Sequence, residues 1–165
     1  MTDDERGDRF LEQATERVSG AIDADLDLFH LSFVLARVAN RFARHVESSV
    51  HRPRGLSTAG FRVLFTLWAT GPLESHRIAV LAGLSRASVS SVVNTLERDG
   101  HVERTRQQDD RRLVTVSLTA GGRSVVRDAY EAQHDVERAQ YSDLGAAERR
   151  ILTGLLDRLL DAPLD

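Results

Sequence analysis

The chain has 165 residues, 41% of them apolar and 28% charged, which suits one domain with a real core and argues against whole-chain disorder. All 22 basic residues are Arg, and the absence of Cys excludes a disulfide framework, thiolate zinc sites, cysteine nucleophiles and thiol redox sensing. The net charge of −3 is unevenly spread: residues 1–31 carry nine acids against three Arg, whereas 41–112 carry twelve Arg against seven acids. A basic middle between acidic ends is what local phosphate binding needs, although a solvated surface of mixed charge gives the same balance.

The N-terminus, MTDDERGDRF, is acidic where a signal peptide would be basic and then apolar, and no run reaches the roughly 18 apolar residues of a spanning helix. A soluble, cytoplasmic protein is expected. Residues 1–24 read as an acidic extension with a short amphipathic helix over 8–22, where Phe10, Leu11, Ala14, Val18 and Ile22 recur at helical intervals. Over 25–50 the pattern strengthens, with Leu28, Leu31, Leu35, Val38, Phe42 and Val46 on one stripe and Phe29, Phe33, Ala36 and Asn40 beside it. An apolar surface that wide predicts a helix with two partners.

HRPRG at 51–55 breaks the pattern, and Ser57 is placed to cap a helix carrying Phe61, Leu64, Phe65 and Trp68. A short helix over 74–82 follows, then Gly83, Leu84 and the capping residue Ser85 at the start of RASVSSVVNTLERDG. Two short helices joined by a tight Gly-containing turn predict a helix-turn-helix. The alternating runs 102–106 and 113–118 predict a hairpin, a wing, whose tip is QQDDRR. Thr119 is placed to cap a long helix over 120–141. In the last helix Leu144, Ala147, Ile151, Leu155 and Leu159 are joined by Leu152, Leu156 and Leu160. That helix is apolar over more than half its circumference, which predicts burial in an oligomer.

The order of elements, together with DRRLVTVSLTAGG at 110–122 and LAGLSRASVSSVVNTLERDGHVER at 81–104, resembles the MarR family of winged helix-turn-helix regulators over about 25–162. The fold this implies is mainly α with a small β-wing: a winged helix-turn-helix over 56–118 and dimerisation helices over 25–50 and 120–162. The resemblance implies a homodimer on double-stranded DNA at a pseudo-palindromic operator. Twofold geometry gives the same expectation, with half-sites about one helical turn apart. It also implies a repressor released by a small aromatic or anionic effector.

On that footing the recognition helix would offer Ser85, Arg86, Ala87, Ser88, Ser90, Ser91 and Asn94 to the groove, where Arg reads guanine and Ser or Asn makes weaker contacts. Ser91 and Thr95 depart from the family, many members of which carry Arg there. The wing cations are Arg104, Arg106, Arg111 and Arg112. By resemblance Arg112 enters the minor groove and Asp110 braces its guanidinium, leaving Arg111 for phosphate; a surface ion-pair cluster is the alternative. Ser75, His76 and Arg77 open the preceding helix, where free N–H groups meet phosphate.

Arg37, Arg41, Arg62, Phe65 and Trp68 are candidates for an effector pocket. Arg37 and Arg41 are equally suited to intersubunit ion pairs with the acidic N-terminal segment. The six His, at 30, 45, 51, 76, 101 and 134, show no metal-ligand spacing, and His30 and His45 read as core or interface residues. No cofactor is expected. There is no Gly-rich phosphate loop, nucleophile elbow or metal-binding helix pair, so an enzyme is not expected. A winged-helix module that binds protein rather than specific DNA is the competing class.

Overall fold

The computed structural model of the chain describes residues 3–106 and 114–162. The described part is mostly helical, with one small antiparallel sheet. It divides into two units, Met1–His45 and Val46–Asp165.

In the first unit, α1 (Asp3–Ala21) begins earlier than the periodicity predicts. Helix α2 (Leu26–Val46) starts where the Asp25 carboxylate accepts from the N–H groups of Asp27 and Leu28 at 3.0 and 3.1 Å. These are N-terminal amides with no partner inside the helix. On α2, Phe33 stacks on Phe10 of α1 at 5.7 Å and tilts against Phe29 at 6.2 Å, whereas Leu28, Leu31, Leu35 and Val38 remain exposed. His30 and His45 are also exposed on this chain, so neither is a core residue.

The second unit opens with a π-helical turn, Glu47–His51, and a 3-10 turn, Arg52–Arg54, where the sequence pattern predicts an unbroken helix to residue 50. Pro53 has no N–H to donate, which favours the shorter turn. Helix α3 (Thr58–Thr70) is capped as expected: Ser57 Oγ accepts from the Gly60 N–H at 3.0 Å. Its side chains Val63 and Leu64 are fully buried and form the centre of the core with Ile78, Val89, Val93, Val116 and Val126. Each such aliphatic side chain contributes roughly 1.5–3 kcal/mol by leaving water.

Helix α4 (Ser75–Ala82) and α5 (Arg86–Arg98) follow. Before α4, Leu73 and Glu74 form a two-residue strand, β1, so Glu74 belongs to the sheet rather than to the helix expected over 74–82. Strands β2 (Val102–Arg106) and β3 (Val114–Leu118) pair antiparallel with Val102 opposite Leu118 and Arg106 opposite Val114. On the other side of β3, Leu73 pairs with Val116, giving the order β1-β3-β2. Val116 and Leu118 are buried, as the alternation requires.

Helices α6 (Ala120–Gln140) and α7 (Ala146–Leu160) complete the chain. Helix α7 begins after Leu144, with the Glu148 carboxylate accepting from the Gly145 N–H at 2.7 Å. Nothing on α7 is buried, and Ile151, Leu155, Leu159 and Leu160 all face solvent in the single chain. No single helix among the described residues is long and apolar enough to cross a membrane.

The buried histidine is His51, which the sequence does not single out. Its ring stacks on Phe61 at 4.4 Å and Nε2 lies 3.4 Å from Gln133 Oε1, while Nδ1 has no hydrogen-bond partner among the described residues. Burial holds its pKa below the ordinary 6.5, outweighing Gln133 and Glu47, which favour the charged ring; Arg54 adds to the depression. Between that lowered value and 6.5 the folded state therefore binds fewer protons than the unfolded state. The stability tied to the neutral buried ring is complete above the unfolded value and is lost as pH falls from there through the lowered folded value. The urea midpoint should drop between pH 7.5 and 5.5, and His51→Phe should shrink that drop; an unchanged pH profile in the variant would contradict the assignment.

Candidate nucleic-acid interface

One oxygen cap and one glycine turn set the start of α5. Ser85 Oγ accepts from the Ser88 N–H at 3.0 Å and lies 2.8 Å from Ser88 Oγ, so both hydroxyls take part in starting the helix. Gly83 has φ of 60°, a left-handed conformation that costs a side chain strain, and it lets the axes of α4 and α5 turn through 109°. From α3, Arg62 Nη2 donates to the Gly83 carbonyl at 3.4 Å, bracing that turn.

With Val89, Val93 and Leu96 buried, α5 turns Arg86, Ala87, Ser90, Ser91 and Asn94 outward. Among the described residues no hydrogen bond or ion pair engages Arg86 or Arg77, so both guanidinium groups face solvent with their donors open. At the start of α4, Glu74 makes no side-chain cap, and the first N–H groups of Ser75, His76 and Arg77 have no side-chain acceptor from it. The Glu74 carboxylate lies instead 3.4 Å from His76 Nδ1. An uncapped helix start and two open guanidinium groups make this face suited to anions.

On the hairpin, the Arg104 guanidinium is engaged by the protein itself. Its Nη1 donates to Glu97 Oε2 and its Nη2 to Asn94 Oδ1 at 2.6 Å, so two residues expected at a nucleic acid are bound to each other. The sequence does not reveal this, because the three residues meet only after the chain has turned at Gly100. Arg106 ends β2, while Asp110, Arg111 and Arg112 lie outside the described residues.

Thr119 ties the base of the hairpin to α6. Its hydroxyl lies 2.7 Å from the Gly100 carbonyl and 3.2 Å from that of His101, and it accepts from the Gly122 N–H at 3.0 Å. The Gly122 Cα sits directly against the His101 carbonyl, where a side chain has no room. Leu-Thr-x-x-Gly is thus a lock between hairpin and helix.

The candidate effector residues fall in both units. Arg37 and Arg41 lie on α2, with the Arg37 guanidinium over Gly7 of α1. Phe65 and Trp68 on α3 meet Tyr130 of α6 at 5.2 and 5.9 Å, and Trp68 is 42% exposed. Tyr130 completes an aromatic cluster that the sequence alone does not assemble, since its partners lie some sixty residues earlier.

Comparison with known proteins agrees with this geometry. Residues 56–114 match the MarR family profile. An uncharacterised helix-turn-helix transcriptional regulator of Bacillus subtilis, YwaE, is 34% identical over 137 residues, covering 83% of this chain and 80% of YwaE. Among solved structures, a mutant of Escherichia coli MarR complexed with operator DNA superposes with a TM-score of 0.73 at 22% identity, over 83% of this chain and 99% of that one. Bordetella bronchiseptica BpsR, solved in a study of its regulation by 6-hydroxynicotinic acid, gives 0.72 at 23% identity, over 80% and 99%. With two short helices meeting at Gly83, a hairpin locked by Thr119 and Gly122, and a relative matched over most of both chains, this chain belongs to the MarR family of transcriptional regulators.

Proposed function

We propose that the protein is a homodimeric, sequence-specific DNA-binding repressor that a small aromatic or anionic effector releases from its operator. The observation that carries the reading is the outward face of α5, where small side chains and the open Arg86 sit above a buried face of valine and leucine. Such a face can approach base edges closely, and Arg86 can read guanine. The operator complex of the E. coli relative supports the same use of the fold. Helices 25–50 and 120–162 supply the dimer, their exposed leucines being its contact surface.

For the effector, Phe65, Trp68 and Tyr130 offer an apolar wall, and BpsR supports a small aromatic acid as the ligand class. An anion drawn to Arg62 competes with the Gly83 carbonyl for one guanidinium, which links ligand binding to the turn of the helix-turn-helix. Trp68 is the only tryptophan, so its fluorescence reports a titration with benzoate-type acids.

The test is selection of bound sites from random duplex, followed by affinity against salt. Log affinity should fall against log salt with a slope of about −0.9 per neutralised phosphate. Arg112→Ala should weaken operator binding about tenfold and flatten the slope by about one while the dimer persists. A flat salt profile, or equal affinity for random duplex, would overturn the repressor reading in favour of a protein-binding module.

A further inference from the structure

We infer that Glu97 and Arg104 are positioning residues, a fork that fixes the hairpin against the recognition helix, rather than members of the DNA-contacting set. The inference rests on the DNA-binding reading above and assigns these two residues a different role within it. Arg104 lies in β2, opposite Val116 of β3, so its backbone is held by the sheet. Its guanidinium crosses to α5 and donates from one nitrogen to Glu97 and from the other to Asn94. Arg104 and Glu97 side chains are 30% and 39% exposed, so the pair is partly sheltered from water. A planar guanidinium with two donors on two acceptors defines an orientation, as a flexible ammonium does not.

The rest of the hairpin shows why such a fork is useful. Val102, Val116 and Leu118 anchor its base in the core, and Thr119 locks that base to α6. Farther out, the described cross-strand side-chain contacts are a Ser117 hydroxyl donating to Glu103 at 3.2 Å and a long one, 3.4 Å, from Thr115 to the Thr105 carbonyl. Both join β2 to β3, whereas Arg104 joins the hairpin to α5. A hairpin held at this angle before DNA arrives has less freedom to lose on binding.

Simple electrostatics and a positioning role predict effects of opposite sign. If Arg104 neutralised a phosphate and Glu97 were only a neighbouring acid, Glu97→Ala would free a cation, remove a negative charge near DNA and tighten the complex. Arg104→Lys would keep the charge and stay near wild type. As positioning residues, both variants should weaken operator binding about five- to tenfold, through lost pre-organisation. The salt slope should stay unchanged because no phosphate contact is lost. Glu97→Gln, which keeps an acceptor, should recover part of the affinity. Melting temperatures should match wild type, because partly exposed ion pairs contribute little to stability.

Hydrogen exchange on the full-length protein without DNA supplies the separate readout. Faster exchange in β2 and β3 in both variants is the expected result. Tighter binding by Glu97→Ala, wild-type affinity for Arg104→Lys, or unchanged exchange would overturn the proposal. Faster exchange in the variants, with a wild-type protein that prefers no duplex sequence, would leave the fork standing and sink the DNA-binding reading on which its role depends.

Discussion

Gly122→Ala is expected to lower the unfolding free energy by about 1–3 kcal/mol, while the same change one residue earlier, Gly121→Ala, should raise it by up to about 1 kcal/mol. Both glycines lie in the first turn of α6. A methyl group on Gly121 meets only ordinary contacts, Thr119 Oγ1 at 3.6 Å and the Gly100 carbonyl at 3.8 Å, and alanine's helix preference then decides the sign. A methyl group on Gly122 would overlap the His101 carbonyl, a backbone atom that itself accepts from the Thr119 N–H at 3.1 Å. Relief requires α6 to move off the base of the hairpin, breaking the Thr119 lock. Each kcal/mol shifts the melting temperature by roughly 2–4 °C in a chain of this size. Thermal unfolding of the two variants beside wild type is the measurement, and equal shifts for the two would refute the close approach.

Leu155→Glu tests the dimer. Leu155 is 49% exposed in the single chain, so an isolated protomer should tolerate the carboxylate within about 0.5 kcal/mol. Pressed into a contact between two copies of α7, the same carboxylate loses its water, a cost that an ion pair with Arg158 one turn further along offsets only in part. The expected result is a folded monomer by sedimentation. Its operator affinity should fall by about 10²–10⁴, because the second half-site is no longer bound within the same complex. A dimeric variant with wild-type affinity would show that α7 is not the interface.

The parts of the fold legible in the sequence are those fixed by nearby residues. Ser57, Ser85 and Thr119 each stand just before an apolar periodic run, and each caps the helix that follows because its oxygen can reach an amide three residues on. The hairpin strands are visible in their alternation. What is not legible depends on distant partners. β1 has two residues and no pattern of its own; it is a strand only because Val116 and Thr115 lie beside it. His51 is buried by Phe61 and by α6, which its local sequence, HRPRG, does not reveal. The same applies to Arg104: its charge suggests phosphate, and only the turn at Gly100 brings Glu97 and Asn94 within reach.

The pairing of Leu73 with Val116 also sets an expected order of events during folding. It closes a loop containing α4, α5 and β2, and the chain entropy of closing roughly forty residues is about 3 kcal/mol beyond the constant cost of any closure. The helices and the β2–β3 hairpin need far shorter closures and can form early. The two-residue strand is then the last piece of sheet to seat, its long loop bridged only when the helices within it already hold the ends near each other. The wing then acquires its third strand only once the helix-turn-helix is in place, so that closure of the sheet marks a recognition surface already folded.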